Sequence, residues 1–255
     1  MELTKNRFKA GLKSGKQQIG MWNSIHATVL PEAFGPLEYD WIVLDTEHSP
    51  VEPIMLMQSL QALAAYPKTS AVVRPVVNDT ALIKRHLDMG AQTLILPYVQ
   101  NPEEAQSAVD AMRYPPRGVR GVAGGSRASA YGAIKDYATK CEEELCLIVQ
   151  VETVSAMEHL EEIATIDGVD GVFIGPSDLG ASMGYPGQPN HPEVRAAIED
   201  AYKRLQAVNV PAGVLAVNGE FAQRSFDLGA SFVAVGVDLG VLLGAARELR
   251  HKFTY

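Results

Sequence analysis

Ionisable side chains follow a short apolar run near the start of this chain. The run "WIVLD" at residues 41–45 ends in Asp45, and Glu47 and His48 lie just beyond it. A carboxylate can orient an imidazole, which then takes up a proton near neutral pH. Asp45 and His48 are therefore candidates for an acid–base dyad. A structural pair that stabilises a loop is the alternative.

A second apolar run ends in a cation. Arg74 follows "AVV" and precedes Pro75. A charge at the end of a buried strand has to be paired, because burying it alone is costly. Arg74 could hold a substrate oxyanion or an internal carboxylate, and the residues alone leave both interpretations open.

Two further runs end in acids that could share a metal ion. Gln150 and Glu152 are two residues apart and point to the same face of a strand, and Asp178 lies in "GPSDLG". One Glu and one Asp at neighbouring strand ends, completed by oxygens of water and substrate, suit Mg²⁺ or Mn²⁺. The alternative is that both acids cap the helices that follow them. The "GPSDLG" turn could also bind a small carboxylate, or be an ordinary turn.

The remaining reactive side chains have fewer neighbours of this kind. Five histidines are interpreted as surface or structural: His26, His86, His159, His191 and His251. No lysine falls at the end of an apolar run, which argues against a Schiff-base mechanism. Cys141 and Cys146 fit no metal or redox spacing and are expected to be reduced thiols.

Eight apolar runs could position these residues. They lie at 18–24, 41–45, 70–75, 93–98, 145–152, 171–175, 211–217 and 232–238. Most are continuously apolar, as in parallel strands covered on both faces, and amphipathic stretches with helix-capping residues separate them. This alternation predicts an α/β fold, a (β/α)₈ barrel, formed as one domain over residues 1–255. An open doubly wound sheet usually carries a glycine-rich fingerprint after its first strand, and "MWNSIHA" is not one.

The longest gap between runs contains residues 114–132. Its "GVAGGSR" at 121–127 resembles a phosphate-binding loop only loosely, since it lacks the Gly-Lys-Ser/Thr ending. Long loops are often functional, so this segment is expected to form a mobile rim of the active site.

Composition excludes several classes of function. The formal net charge is -8, which argues against nucleic acid or an anionic membrane as partner. No apolar run approaches the roughly 20 residues that span a bilayer, and residues 1–16 lack the apolar core of a signal peptide. A cytoplasmic protein is expected.

Several of these segments together resemble one family. "LDTEHSP", "VRPVVND", "RYPPRGVRG", "VQVET", "GVDGVFIGPSDLGASMGYPGQPNHPEV" and "FVAVGVD" are similar to the HpcH/HpaI aldolases, in order, over about residues 18 to 240. These are class II pyruvate aldolases of the phosphoenolpyruvate/pyruvate barrel superfamily. They include 4-hydroxy-2-oxoheptanedioate aldolase, an enzyme of aromatic catabolism, and 2-keto-3-deoxy-sugar-acid aldolases.

The resemblance implies an aldehyde-lyase that reversibly cleaves 4-hydroxy-2-oxo acids to pyruvate and an aldehyde. It implies Mg²⁺, Mn²⁺ or Co²⁺ and no organic cofactor, with hydroxypyruvate as a further donor. The alternatives are a 2-keto-3-deoxy-sugar-acid aldolase, a family lyase or decarboxylating C–C bond former, and a non-catalytic barrel that binds small acids. The resemblance also implies a homohexamer, a trimer of dimers in which the last helix swaps between partners.

The resemblance assigns roles to individual residues. Glu152 and Asp178 become the metal ligands, Gln150 faces pyruvate, and the backbone of Pro176, Ser177 and Asp178 borders its carboxylate. Arg74 steadies the substrate oxyanion, Asp45 and His48 form the dyad, and Leu215 lies near the aldehyde. Asp88 reaches the site of a neighbouring subunit. Glu47 is an acid near the waters of the metal or a partner for Arg74. Thr46 stands where the family usually has Gly.

Overall fold

Eight parallel strands close into a barrel in this computed structural model, which describes residues 1–25 and 27–253. The strands are β1 (Gln18–Asn23), β2 (Trp41–Asp45), β3 (Ser70–Arg74), β4 (Thr93–Leu96), β5 (Cys146–Val151), β6 (Gly171–Ile174), β7 (Ala212–Leu215) and β8 (Phe232–Val237). Each strand lies inside the apolar run that predicted it, and β8 pairs with β1. The predicted (β/α)₈ barrel is confirmed.

One helix precedes β1, and the others follow the strands and lie outside the barrel. They are α1 (Arg7–Lys13), α2 (Val29–Phe34), α3 (Pro53–Leu63), α4 (Thr80–Asp88), α5 (Pro102–Met112), α6 (Tyr137–Lys140), α7 (Val154–Glu158), α8 (Leu160–Ala164), α9 (Pro176–Ser182), α10 (Pro192–Ala207), α11 (Gly219–Asp227) and α12 (Asp238–His251). Within the described residues, single-turn 3₁₀ helices cover Gly35–Leu37, Arg127–Ser129 and Cys141–Glu143.

The helix α1 closes the N-terminal end of the barrel. Its Phe8 is fully buried, with its ring centroid 5.6 Å from that of Trp41 and 5.4 Å from that of Phe232. Gly213 makes room for this aromatic layer, since a Cβ there would lie 2.1 Å from the ring of Phe232. The interior is therefore filled at this end, which leaves the carboxyl ends of the strands as the open face.

Strand register brings the polar strand ends together at that open face. Asp45 of β2 is paired with Arg74 of β3, and Gln150 of β5 with Phe173 of β6. Because the strands are parallel, the segments that follow them leave from one rim.

Residues 114–132 lie elsewhere, so the expected active-site rim is wrong for this chain. They follow α5, which returns the chain to the N-terminal ends of the strands. Arg127 donates to the carbonyl of Met89 at 2.8 Å and, with Tyr131, lines a cavity of about 690 Å³ that also includes Thr93 at the start of β4. This loop therefore packs on the end of its barrel opposite to the polar rim.

Other expectations have mixed outcomes. Cys141 and Cys146 are both free and buried, as expected. In the described ranges, no helix is both long and apolar enough to cross a bilayer. His26 lies outside the described residues, and the single-domain organisation stays a prediction.

Candidate active site

A buried ion pair joins the ends of β2 and β3. Asp45 accepts from Nε of Arg74 at 2.9 Å and from Nη2 at 2.7 Å, with 3% and 7% of the two residues exposed. This two-point contact fixes the plane of the guanidinium. Burial favours the neutral acid, but the hydrogen bonds and charge of Arg74 outweigh it and hold the pKa of Asp45 below its usual range.

Trp22 of β1 supports the same pair from inside the barrel. Its indole Nε1–H donates to Oδ2 of Asp45 at 3.1 Å, and the guanidinium carbon of Arg74 lies 4.7 Å from the centre of its ring. Both contacts favour a charged pair, since a hydrogen bond stabilises the carboxylate and the face of the ring attracts a cation. Trp22 was not among the predicted site residues. Its position next to the strand end at Asn23 was the only signal.

Glu47 and His48 lie next to this pair, but the expected contact between Asp45 and His48 is not formed. The oxygens of Asp45 accept from Arg74, Trp22 and the backbone N–H of Glu47. His48 Nε2 instead lies 3.9 Å from Oε2 of Glu47, which is 2.8 Å from Nη1 of Arg74 without accepting a hydrogen bond. Arg74 therefore has two carboxylate partners, and Glu47 is one of them.

The end of β5 holds a second buried carboxylate. Glu152 is 2% exposed, and its Oε1 accepts from the backbone N–H of Tyr98 at 2.9 Å while its Oε2 accepts from the side-chain amide of Gln150. Tyr98 reaches this position with a left-handed backbone, φ 56°. A non-glycine residue in that conformation is uncommon and is often found where function fixes the backbone.

Gly175 at the end of β6 makes room for the same carboxylate. A Cβ at this position would lie 2.3 Å from Oε2 of Glu152 and 2.8 Å from its Cβ. No side chain larger than hydrogen fits unless Glu152 moves. The motif "IGPSDLG" contains this glycine, but its contact with Glu152 could not be predicted from the motif.

Negative charge accumulates around Glu152. Burial raises the pKa of Glu152 to about 7, and the charges of Asp178 and Glu47 add to the rise. Gln150 Oε1 is buried and accepts no hydrogen bond, so an unused oxygen acceptor lies beside the carboxylate. A hard divalent cation would neutralise the excess negative charge and prefers oxygen ligands. Glu152 and Asp178 thus fit such an ion.

These residues do not form a complete metal cage. Across 1–25 and 27–253, no three or more His, Cys, Asp or Glu side chains are grouped so that they could hold an ion. An ion held by Glu152 and Asp178 needs further oxygens from substrate and water, as the two-carboxylate interpretation assumes.

The first turn of α9 and the end of β7 complete the rim. Pro176 is buried, whereas Ser177 and Asp178 are exposed in the first turn of α9. Leu215 is the last residue of β7 and is half-buried against the inner core of the barrel. These four residues lie at the carboxyl ends of β6 and β7, on the side of the barrel that also carries Arg74 and Glu152.

Asp88 is not part of this group within its own chain. It ends α4, and its Oδ1 accepts from Nη2 of Arg120 at 2.8 Å. Arg120 is fully buried, with Tyr114 stacked at 4.5 Å. The end of α4 faces away from the carboxyl ends of the strands, so a role for Asp88 at an active site requires a second subunit.

A closed barrel with an arginine, buried acids and an exposed histidine at the carboxyl ends of its strands has the arrangement of a (β/α)₈-barrel enzyme. The family model of the HpcH/HpaI aldolase/citrate lyase family matches residues 18–245. The chain belongs to this family.

Similar proteins cover nearly its whole length. A hydroxypyruvate/pyruvate aldolase of Sagittula stellata is 52% identical over 100% of both chains. A 4-hydroxy-2-oxo-heptane-1,7-dioate aldolase of Shigella sonnei is 47% identical over 97% of this chain and 95% of its own. A crystal structure of an HpcH/HpaI aldolase/citrate lyase family protein from Burkholderia cenocepacia superposes with a TM-score of 0.94 at 34% identity. That superposition covers 97% of this chain and 99% of the other.

Proposed function

We propose that this protein is a divalent-metal-dependent aldehyde-lyase that reversibly cleaves 4-hydroxy-2-oxo acids to pyruvate and an aldehyde. The observation that carries the proposal is the arrangement of charges at the rim. Arg74 is fixed by Asp45 and Glu47, and burial, together with the nearby charge of Asp178, raises the pKa of Glu152 to about 7. One part of the rim stabilises an oxyanion, and the other binds a cation.

Glu152 and Asp178 would hold the metal ion, as Mg²⁺, Mn²⁺ or Co²⁺, and no organic cofactor is needed. When bound, the ion supplies Lewis-acid stabilisation of the negative charge that develops on a 2-oxo acid. Gln150 faces the bound pyruvate and offers its free Oε1. The backbone of Pro176, Ser177 and Asp178 borders the pyruvate carboxylate.

His48 acts as the base. Its imidazole takes the proton of the 4-hydroxyl group, the C4–O bond becomes the aldehyde carbonyl, and the C3–C4 bond breaks with its electrons left on C3 of the pyruvate portion. The proton held by His48 then goes to C3, which gives the methyl group of pyruvate and restores the base. In the reverse direction the same group takes a proton from the pyruvate methyl. Glu47, 3.9 Å away, is the carboxylate beside the ring, and Asp45 acts by holding Arg74.

Arg74 provides fixed positive charge to the substrate oxyanion. Because Asp45, Glu47 and Trp22 hold the guanidinium, no reorganisation is needed as charge develops, and such preorganised donors contribute about 3–4 kcal/mol to transition-state stability. Leu215 contacts the aldehyde portion, and Asp88 contributes to the site of a neighbouring subunit.

Hydroxypyruvate is a second donor. The Sagittula stellata relative, which is 52% identical, is a hydroxypyruvate/pyruvate aldolase. One alternative is cleavage of 2-keto-3-deoxy sugar acids. The other is lyase or decarboxylating chemistry at the same rim. Assays of pyruvate with a panel of aldehydes separate these alternatives.

We further propose a homohexamer, built as a trimer of dimers, in which α12 packs on a partner. Beyond the buried Asp238 this helix is largely exposed, and Val241 and Leu242 are 56% and 57% accessible. Such an apolar surface on a soluble domain is typical of an interface. A cytoplasmic location and a place in aromatic catabolism stay predictions, as does the lack of a nucleic-acid or membrane partner.

The proposed function is tested by pyruvate release from 4-hydroxy-2-oxo acids with each metal ion. Glu152→Gln and His48→Ala are each expected to lower kcat at least 100-fold. The matched control Glu158→Gln changes an exposed acid of α7 and is expected to keep the wild-type rate. A wild-type rate for Glu152→Gln contradicts the metal role, and one for His48→Ala contradicts the base.

A further inference from the structure

The first residue of α12 is a buried carboxylate held by neutral donors. Asp238 is 3% exposed. Its Oδ1 accepts from the N–H and hydroxyl of Ser24 at 2.9 and 2.7 Å and from the N–H of Leu239 at 2.7 Å. Its Oδ2 accepts from the amide of Asn23 at 2.6 Å and from the N–H of Ile25 at 3.0 Å. One side chain thus ties the segment after β1 to the start of the last helix.

The tied segment in turn holds the residues that follow β2. Ser24 uses its carbonyl to accept from the hydroxyl of Ser49 at 3.0 Å. Ser49 is 6% exposed, so water does not easily replace this bond. The hydrogen bonds therefore run from Asp238 through Ser24 to the neighbour of His48.

His48 lacks side-chain packing that would fix it by itself. Its side chain is 68% exposed. The backbone on its N-terminal side is fixed, since Thr46 donates both its N–H and its hydroxyl to the carbonyl of Arg74, at 3.0 and 2.7 Å, and the N–H of Glu47 donates to Asp45. On the C-terminal side, the hydroxyl of Ser49 donates to the carbonyl of Ser24.

We propose that Ser49 and Asp238 are positioning residues that orient His48 toward the substrate. The inference rests on the proposed function, in which His48 is the base. Ser49 fixes the backbone after His48, and Asp238 fixes Ser24, to which Ser49 is bonded. Because α12 begins at Asp238, the same carboxylate connects the last helix to the catalytic rim.

Ser49→Ala tests the proposal by removing a single hydroxyl. Two rates report on His48: kcat for cleavage, and the exchange of pyruvate methyl protons with D₂O measured by NMR. Both are expected to fall about tenfold, because misplacing a reacting group by about an ångström costs up to about 100-fold. The KM for the substrate is expected to change less than about twofold. Ser59→Ala is the matched control, since Ser59 is also buried and donates to a carbonyl at 3.0 Å, within α3. It is expected to leave both rates unchanged.

A double variant shows whether Ser49 acts by orienting His48 or has only a general structural role. If Ser49 acts through His48, Ser49→Ala has no further effect on the residual rates of the His48→Ala protein. A tenfold further loss in that background, or wild-type rates for Ser49→Ala alone, overturns the positioning role and leaves the proposed function intact. Wild-type rates for His48→Ala instead contradict the proposed function itself.

Asp238→Asn tests the other end of this connection. The amide replaces one acceptor oxygen by a donor that faces donors, so a fall in kcat is expected. Because Asp238 acts through Ser49, that fall is expected to be smaller in a chain that already carries Ser49→Ala. Equal falls in both chains overturn the role of Asp238. If Asp238→Asn does not fold, the variants of Ser49 and His48 decide the proposal.

Discussion

At the scale of single residues, Arg74 is the group on which most site contacts converge. It contacts Asp45, Glu47 and the ring of Trp22. Arg74→Lys replaces a planar fork by a point charge, which cannot bind both carboxylates and an oxyanion in the same way. We expect kcat to fall by about 100- to 1,000-fold. Steady-state kinetics check this, with Arg85→Lys, on the exposed face of α4, as a control that keeps the wild-type kcat.

Gly175 gives a second prediction at this scale. Gly175→Ala forces Glu152 to move, because the new Cβ overlaps its carboxylate at 2.3 Å. We expect metal affinity to fall about 10- to 100-fold, the range seen when the support of a metal ligand is disturbed. Calorimetric titration with Mn²⁺ measures this affinity. Gly219→Ala is the control, since a Cβ there meets no atom within 4 Å. Equal affinities of the two variants would contradict the assignment of Glu152.

The sequence predicted polar strand ends but not the distances between them. Asp45, Arg74 and Glu152 were recognised because each follows an apolar run. The support from Trp22 and Gly175 depends on contacts across the barrel. The left-handed backbone of Tyr98 could not be predicted from the residue type. The same limit explains the expected Asp45–His48 contact, since nothing in the spacing showed that Arg74 and Trp22 occupy the carboxylate of Asp45.

At the scale of elements, α4 carries a buried histidine that makes stability depend on pH. Burial lowers the pKa of His86 to about 4, and its Nδ1 has no hydrogen-bond partner. The unfolded chain takes up this proton near pH 6.5, so the unfolded state binds more protons between about pH 6.5 and 4 and stability is lost as pH falls through that window.

His86→Leu removes this dependence. In the wild-type protein, His86 is expected to account for a loss of about 2 kcal/mol in the free energy of unfolding between pH 7 and pH 5. Urea unfolding at the two pH values measures it. His159→Leu, which changes a surface histidine, is expected to keep the wild-type slope. An unchanged slope for His86→Leu refutes the assignment.

Strand positions were well predicted, whereas one long loop was placed at the wrong end of the barrel. Continuous apolar runs located all eight strands because buried parallel strands need them. The segment 114–132 was assigned to the active-site rim from its length. Its place after α5 puts it at the N-terminal ends of the strands, where Arg127 anchors it to Met89.

At the scale of the whole molecule, α12 provides the surface through which we expect subunits to assemble. Leu242→Glu places a charge in its exposed apolar surface, and burying an unpaired charge at an interface is costly. We expect the variant to elute as a smaller species, as measured by size-exclusion chromatography with light scattering. Leu37→Glu, at a residue that is 60% exposed elsewhere, is expected to keep the wild-type mass. Equal masses of the Leu242 variant and the wild type contradict an interface through α12.

The central claim is that one rim combines a metal site at Glu152 and Asp178 with a base at His48. The exchange of pyruvate methyl protons with D₂O tests it most directly, because that reaction needs both parts and no aldehyde. Protein freed of metal by a chelator should lose exchange, and Mg²⁺, Mn²⁺ or Co²⁺ should restore it in the wild type but not in Glu152→Gln or His48→Ala. Exchange at the full rate in the chelator-treated protein would contradict the account.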